Sequence, residues 1–295
     1  DSLFAMQSLS LLPDPPLRRA IAPVGYSQSC GVAYDLGASA DGSGANFYLD
    51  PTPTLFSENN LTGGFHLRRI VLTLDGTPRF EPGAPRSWGR FPVAVDSFVV
   101  HPQGYIAAVN ATQSKLYLLE LPAAAVDNEY ARMASLYSGE GDRVGLLSRP
   151  RAIAVALDGR LLVLEDGNRR IQCFDLSGNP VPYFRQAGSD AKSPLLPLRG
   201  TDATATSYLD LAVEARGFLF VLAYDGSGAR PEQYRVDIYE PDGGFLVSTP
   251  QVAAARIAVD LARTMYTLNW ESWLGDGGRT EPSVSVWLAP APEQL

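Results

Sequence analysis

The sequence predicts an all-β chain assembled from repeated antiparallel meanders. Three observations carry this. Short apolar or alternating runs of about four to eight residues recur, as buried and half-buried strands require. Turn dipeptides such as Asp75-Gly76 and Asp158-Gly159 separate them, because glycine tolerates the positive φ of a tight hairpin. The innermost runs, at Val32, Phe98, Ile153, Leu211 and Ile257, are spaced 66, 55, 58 and 46 residues apart. Four short strands per period, with loop insertions, make a blade of a β-propeller. Separate hairpins would leave apolar faces bare, so the units are expected to close into a ring.

Along the chain, the first unit takes Gly31 to Tyr34, Asn46 to Leu49 and Leu67 to Leu74. The second takes Val95 to Val100, Tyr105 to Val109 and Lys115 to Leu119. The third is the clearest: Ala152 to Val155, Leu161 to Leu164, Arg170 to Phe174, with Val181 to Phe184 as the fourth strand. The fourth takes Tyr208 to Val213, Gly217 to Leu222, Tyr234 to Tyr239 and Phe245 to Val247. The fifth takes Arg256 to Val259, Thr264 to Leu268 and Ser283 to Leu288, after which Ala289-Pro290-Ala291-Pro292 ends pairing. Leu17 to Ile21 is expected to supply its missing strand, so that N- and C-terminal strands close the ring. Five blades are counted, with a cryptic sixth as the alternative. Residues 1–16 are expected to be a leader or linker, and 17–295 one propeller.

The third unit carries a resemblance. Pro150-Arg151-Ala152-Ile153-Ala154-Val155, Asp158-Gly159, Leu162-Val163, Gly167-Asn168, Arg170-Ile171-Gln172 and Phe174-Asp175 resemble the NHL repeat. The resemblance implies a β-propeller, and a protein-interaction or sensor role. It also implies an Asp–Arg pair within the blade, whose local equivalent is Glu165 with Arg170, an ion pair that fixes geometry.

Composition narrows the function. The 295 residues carry 24 Lys+Arg against 32 Asp+Glu, a net charge of −8, which argues against a phosphate-backbone binder. No apolar run reaches the roughly 18 residues of a membrane span. The two histidines, His66 and His101, exclude a three-histidine zinc site. Cys30 and Cys173 are expected to be free thiols, since they lie two blades apart. The scarcity of lysine, with only Lys115 and Lys192, points to a GC-rich bacterial genome. A secreted or cell-surface address is expected rather than a cytoplasmic one.

Long connections are expected to gather on the face that joins second to third strands and blade to blade, with Leu36 to Ala45 and Pro122 to Tyr130 as exceptions. Trp88, Arg86, Arg90, Tyr224, Arg230, Tyr234, Trp270 and Trp273 lie in or beside them. Aromatic rings and arginines anchor interfaces, so these are the candidate partner-binding residues. The expectation is a non-catalytic binding or assembly module for a protein or glycan partner, without a cofactor. The alternative is a calcium-dependent hydrolase, lactonase or lyase with the ion in the central channel. Oxygen ligands for it would come from Asp35, Asp96, Asn110, Asp210 and Asn269 near strand ends.

Overall fold

The computed structural model describes residues 5–7, 46–50, 65–72, 78–80, 90–91, 95–101, 103, 105–120, 133–137, 139–200, 206–214, 216–226, 233–252, 254–259, 265–269 and 283–288. Every regular element among them is a strand, beginning with β1 (Ala5–Gln7). Residues 11–139 form one compact unit, and residues 1–10 with 140–295 form another.

In the unit of residues 11–139, sheet I holds β2 (Asn46–Asp50), β3 (Phe65–Leu72), β4 (Pro78–Phe80) and β5 (Arg90–Phe91). Its order is β2-β3-β4, with β5 also paired to β3. The strand expected at Gly31 to Tyr34 lies outside the described residues. Sheet II is the meander β6 (Ser97–His101), β7 (Tyr105–Asn110), β8 (Lys115–Glu120) and β9 (Met133–Tyr137). Its first three strands follow the sequence expectation.

The other unit begins with sheet III: β10 (Pro150–Val155), β11 (Leu161–Glu165), β12 (Arg170–Phe174), a hairpin of β13 (Phe184–Arg185) and β14 (Lys192–Ser193), then β15 (Leu195–Pro197). The order is β10-β11-β12-β15, and β13 pairs only with β14. The fourth strand is therefore Leu195–Pro197, not Val181 to Phe184. Pairing there stops after one bridge, Phe174 with Pro180, because Pro180 and Pro182 lack the N–H a ladder needs.

Sheet IV follows as β16 (Thr206–Val213), β17 (Leu219–Asp225), β18 (Tyr234–Tyr239) and β19 (Phe245–Pro250), in that order. Sheet V comprises β20 (Arg256–Val259), β21 (Met265–Asn269), β22 (Ser283–Leu288) and, outermost, β1. The β1 ladder runs antiparallel, Ala5 opposite Leu288 and Gln7 opposite Val286. The strand that completes this sheet is thus Ala5–Gln7, within the stretch read as leader, and not Leu17 to Ile21. A strand edge holds one partner, so this edge of β22 is filled; Leu17 to Ile21 lie outside the described residues.

Period-two alternation builds the core between successive sheets. Along β17, Leu219, Val221 and Ala223 point toward sheet III, where they meet Leu162, Leu164, Ile171, Cys173 and Leu196. Phe220 and Leu222 point the other way, with Val236 and Ile238, onto Ile257, Met265 and Trp287 of sheet V. The first strands stand side by side, β10 next to β16 and β16 next to β20. Sheets III, IV and V therefore stack face to face through their first strands. Trp287 fixes its ring by donating from Nε1 to Thr267 Oγ1 at 3.0 Å.

Cys173 is a free thiol with no exposed surface, as expected; Cys30 lies outside the described residues. Burial pushes the Cys173 thiol up to about 12, so the nucleophilic thiolate is scarce near neutrality. A thiol reagent followed by peptide mapping should leave Cys173 unlabelled in the native protein and label it in urea. Prompt native labelling would contradict the core position.

Candidate binding end of sheets III and IV

One end of sheet III is formed by the start of β10, the end of β11 and the start of β12, since Pro150 and Arg170 both lie opposite Glu165. The corresponding end of sheet IV is the start of β16, the end of β17 and the start of β18. These ends adjoin, because the Tyr208 amide donates to Asp166 Oδ1 at 2.9 Å. Polar side chains gather here, each positioned by strand register.

The Glu165–Arg170 pair forms as expected, with Arg170 Nε donating to Glu165 Oε1 at 2.6 Å and both side chains buried. Its purpose goes beyond one ion pair. Arg170 Nη1 donates to the Asp142 carbonyl at 2.6 Å, and Nη2 to the carbonyls of Leu146 at 2.9 Å and Arg143 at 3.2 Å. Gln172 Nε2 also reaches the Leu146 carbonyl, while its Oε1 accepts the Gly145 amide at 2.7 Å. Glu165 Oε2 accepts the Ser148 amide at 2.9 Å and the Asn168 side chain. Segment 141–148 is thereby strapped across one face of sheet III. The alternate residues Ile171 and Cys173 face sheet IV. Burial raises the Glu165 carboxyl above the usual range, opposed mainly by Arg170.

A second network joins the strands of sheet IV. Arg235 Nε donates to both oxygens of Asp237, at 3.0 and 3.1 Å, and its guanidinium also pairs with Asp225. Thr206 donates to Asp225 at 2.5 Å, Ser248 to Asp237 at 2.7 Å, and Arg235 Nη2 to the Arg199 carbonyl at 3.0 Å. The last bond crosses to the segment leaving sheet III. Sequence reasoning missed this network. Arg235 and Asp237 are alternate residues of β18, and their further partners are met across the ladder, as Thr206 meets Asp225 and Asp237 meets Ser248.

No family model matches the chain, and no curated protein matches it. Similar solved structures include the Cps50 (Swd1) β-propeller domain of Myceliophteria thermophila, at 12% identity, covering 79% of this chain and 67% of that one, with a TM-score of 0.41. A streptogramin B lyase is 12% identical over 82% of this chain and 66% of its own, TM-score 0.43. A luciferin-regenerating enzyme is 13% identical over 91% and 94%, TM-score 0.45. The chain spans about two thirds of the length of the first two. Such identities transfer no chemistry.

The expected binding residues divide by location. Tyr224 and Tyr234 lie at this end of sheet IV with their rings in tilted contact, centroids 4.8 Å apart. Tyr224 donates to Gln233 Oε1 at 3.1 Å, and Tyr234 is buried. Arg90 lies on β5 of sheet I. Arg86, Trp88, Arg230, Trp270 and Trp273 lie outside the described residues.

Three of the oxygen donors weighed for calcium are tied to backbone. Asp96 Oδ2 accepts the Ala111 amide and Asn110 Oδ1 the Gln113 amide, both at 2.7 Å. Asp210 Oδ2 accepts the Ile257 amide at 2.8 Å, joining sheet IV to sheet V. Asn269 lies on β21, and Asp35 lies outside the described residues. Among the described residues no three His, Cys, Asp or Glu side chains gather in a metal-binding group.

Long connections do not all leave from one end. Residues 175–194, between β12 and β15, leave sheet III from the opposite end; residues 121–132 join β8 to β9 at the end of sheet II that carries its short β6–β7 turn, and contain the exception expected at Pro122 to Tyr130. The displaced fourth strand of sheet III explains the first case. Loop length therefore does not select a face; the clamped strap and the arginine network distinguish the end described here.

Asp210 has a readable pH signature. Burial raises its carboxyl above the usual range, while Arg256 and the amides of Ile257 and Leu211 oppose the shift. A raised folded pKa means stability is fully present below the unfolded value, about 3.9, and is lost as pH rises through the folded value. Asp210→Asn keeps an acceptor for the Ile257 amide and removes the buried charge. The unfolding free energy of the variant minus that of wild type should rise as pH increases above about 4; a pH-independent difference in urea titrations would contradict it.

Proposed function

We propose that the chain is an NHL-like β-propeller that serves as a binding module, its four-stranded sheets acting as blades. It engages a protein partner through the clamped end of sheets III and IV. The single observation that carries this reading is the strap at 141–148. Buried Glu165, Arg170 and Gln172 commit their side chains to the backbone of a surface segment. Such ordering in the free protein removes entropy cost from association. The strap presents Val144, 50% exposed, between the exposed Arg143 and the half-buried Gly145.

The test is affinity capture from the source cell with wild type and two surface variants. Val144→Asp alters the strap. Leu157→Asp alters an equally accessible residue, 62% exposed, in the β10–β11 turn at the other end of sheet III. A partner retained by Leu157→Asp and lost by Val144→Asp supports the reading. A partner retained by both, or lost only by Leu157→Asp, overturns it; binding to a glycan array in place of protein capture overturns the partner class.

A further inference from the structure

Three arginines at this end occupy backbone positions that ordinary packing does not assign to arginine. Arg149 and Arg169 have φ of 47° and 52°, the left-handed region where a Cβ is disfavoured and glycine or asparagine sits more easily. Arg151 stands at the break in register between Pro150 and Ala152 on β10, and bulges re-aim side chains beside functional sites. The Arg149 carbonyl accepts the Asp166 amide at 3.1 Å, which holds the β11–β12 turn carrying Arg169 against the start of β10. All three guanidinium-bearing residues therefore belong to one corner of sheet III.

Two of the three, Arg151 and Arg169, have donors without a partner among the described residues. Arg149 Nη2 pairs with Asp166 Oδ2 at 2.8 Å, yet 60% of its side chain stays exposed. Arg151 Nε is buried with no hydrogen-bond partner among the described residues. The Arg169 carbonyl accepts the Leu198 amide at 2.9 Å, while its guanidinium has no hydrogen bond or ion pair among the described residues. The neighbouring acids are Glu140, exposed just before the strap, Asp142, exposed on it, and Asp166, already engaged. Backbone strain of this kind clusters at functional sites.

We propose that Arg149, Arg151 and Arg169 form a guanidinium patch that binds the carboxylates of an acidic segment in the protein partner. Guanidinium forks match carboxylates in two-point hydrogen bonds. A short acidic segment fits better than a nucleic acid. The whole-chain charge of −8 repels a long polyanion, whereas screening beyond about 8 Å lets a short segment feel the local patch alone. The inference rests on the binding-module reading and names the chemistry of its partner.

The test uses fluorescein-labelled hexaglutamate in an anisotropy titration, with inorganic phosphate as the second probe. Wild type should bind the peptide, more weakly as salt rises. Arg169→Gly and Arg151→Gln should each weaken binding about tenfold, the loss of one charge-assisted contact. Arg169→Gly should also melt at a higher temperature, because glycine accepts the left-handed backbone. Arg185→Ala, an exposed arginine on the β13–β14 hairpin, should bind like wild type. Unchanged affinity in both patch variants, an equal loss in Arg185→Ala, or phosphate binding as tight as the peptide would overturn the assignment. No peptide binding, with partner capture still lost in Val144→Asp, would overturn the arginine patch and leave the interface standing.

Discussion

Arg170→Met should lower the unfolding free energy by about 3–5 kcal/mol, the usual result of leaving one member of a buried ion pair behind. Glu165 would keep its buried position with its main counter-charge gone. The carbonyls of Asp142, Arg143 and Leu146 would lose their donor together. Glu165→Leu combined with Arg170→Met should recover part of the loss, because two apolar side chains carry no stranded charge. Urea denaturation of the two single variants and the double variant measures this cycle. A single-variant loss below about 1 kcal/mol, the scale of exposed pairs, would show that the pair is solvated.

Leu164→Ala should cost about 2–5 kcal/mol, the range for truncating a fully buried leucine. Leu164 has no exposed surface and belongs to the core between sheets III and IV. The cavity would open between two sheets, so both should lose stability together. Hydrogen exchange provides the check: amides of β11 and β17 should lose protection by the same free energy. Loss confined to β11 would mean that the two sheets unfold separately.

The strands most legible in the sequence were those whose own residues announce both ends. β10 to β12 and β16 to β18 combine apolar alternation with glycine turns, and the structure has them at the expected places. The outer strands were less legible. β9, with exposed Met133 and Leu136, has little apolar alternation. β15 lies beyond an inserted hairpin, and only the two prolines before it signal that pairing is deferred. β1 is short, and its partner lies at the far end of the sequence. The Glu165–Arg170 pair was legible because both residues sit in one repeat. The carbonyls that Arg170 binds were not, since every residue carries a carbonyl and only folding selects three. Arg235 escaped notice for a related reason: its partners Asp225, Asp237 and the Arg199 carbonyl come from two neighbouring strands and the segment leaving another sheet.

The pairing of β1 with β22 sets a timetable for synthesis. Gln7 lies opposite Val286, so 286 − 7 = 279 positions separate the two. At roughly 5–20 residues per second, a ribosome needs on the order of tens of seconds to make that stretch. Throughout that interval the early segment lacks β22, the edge it joins in the folded protein. A nascent chain stalled before Ser283 should therefore be an open substrate for chaperones and proteases, and emergence of β22 should be the event that protects it.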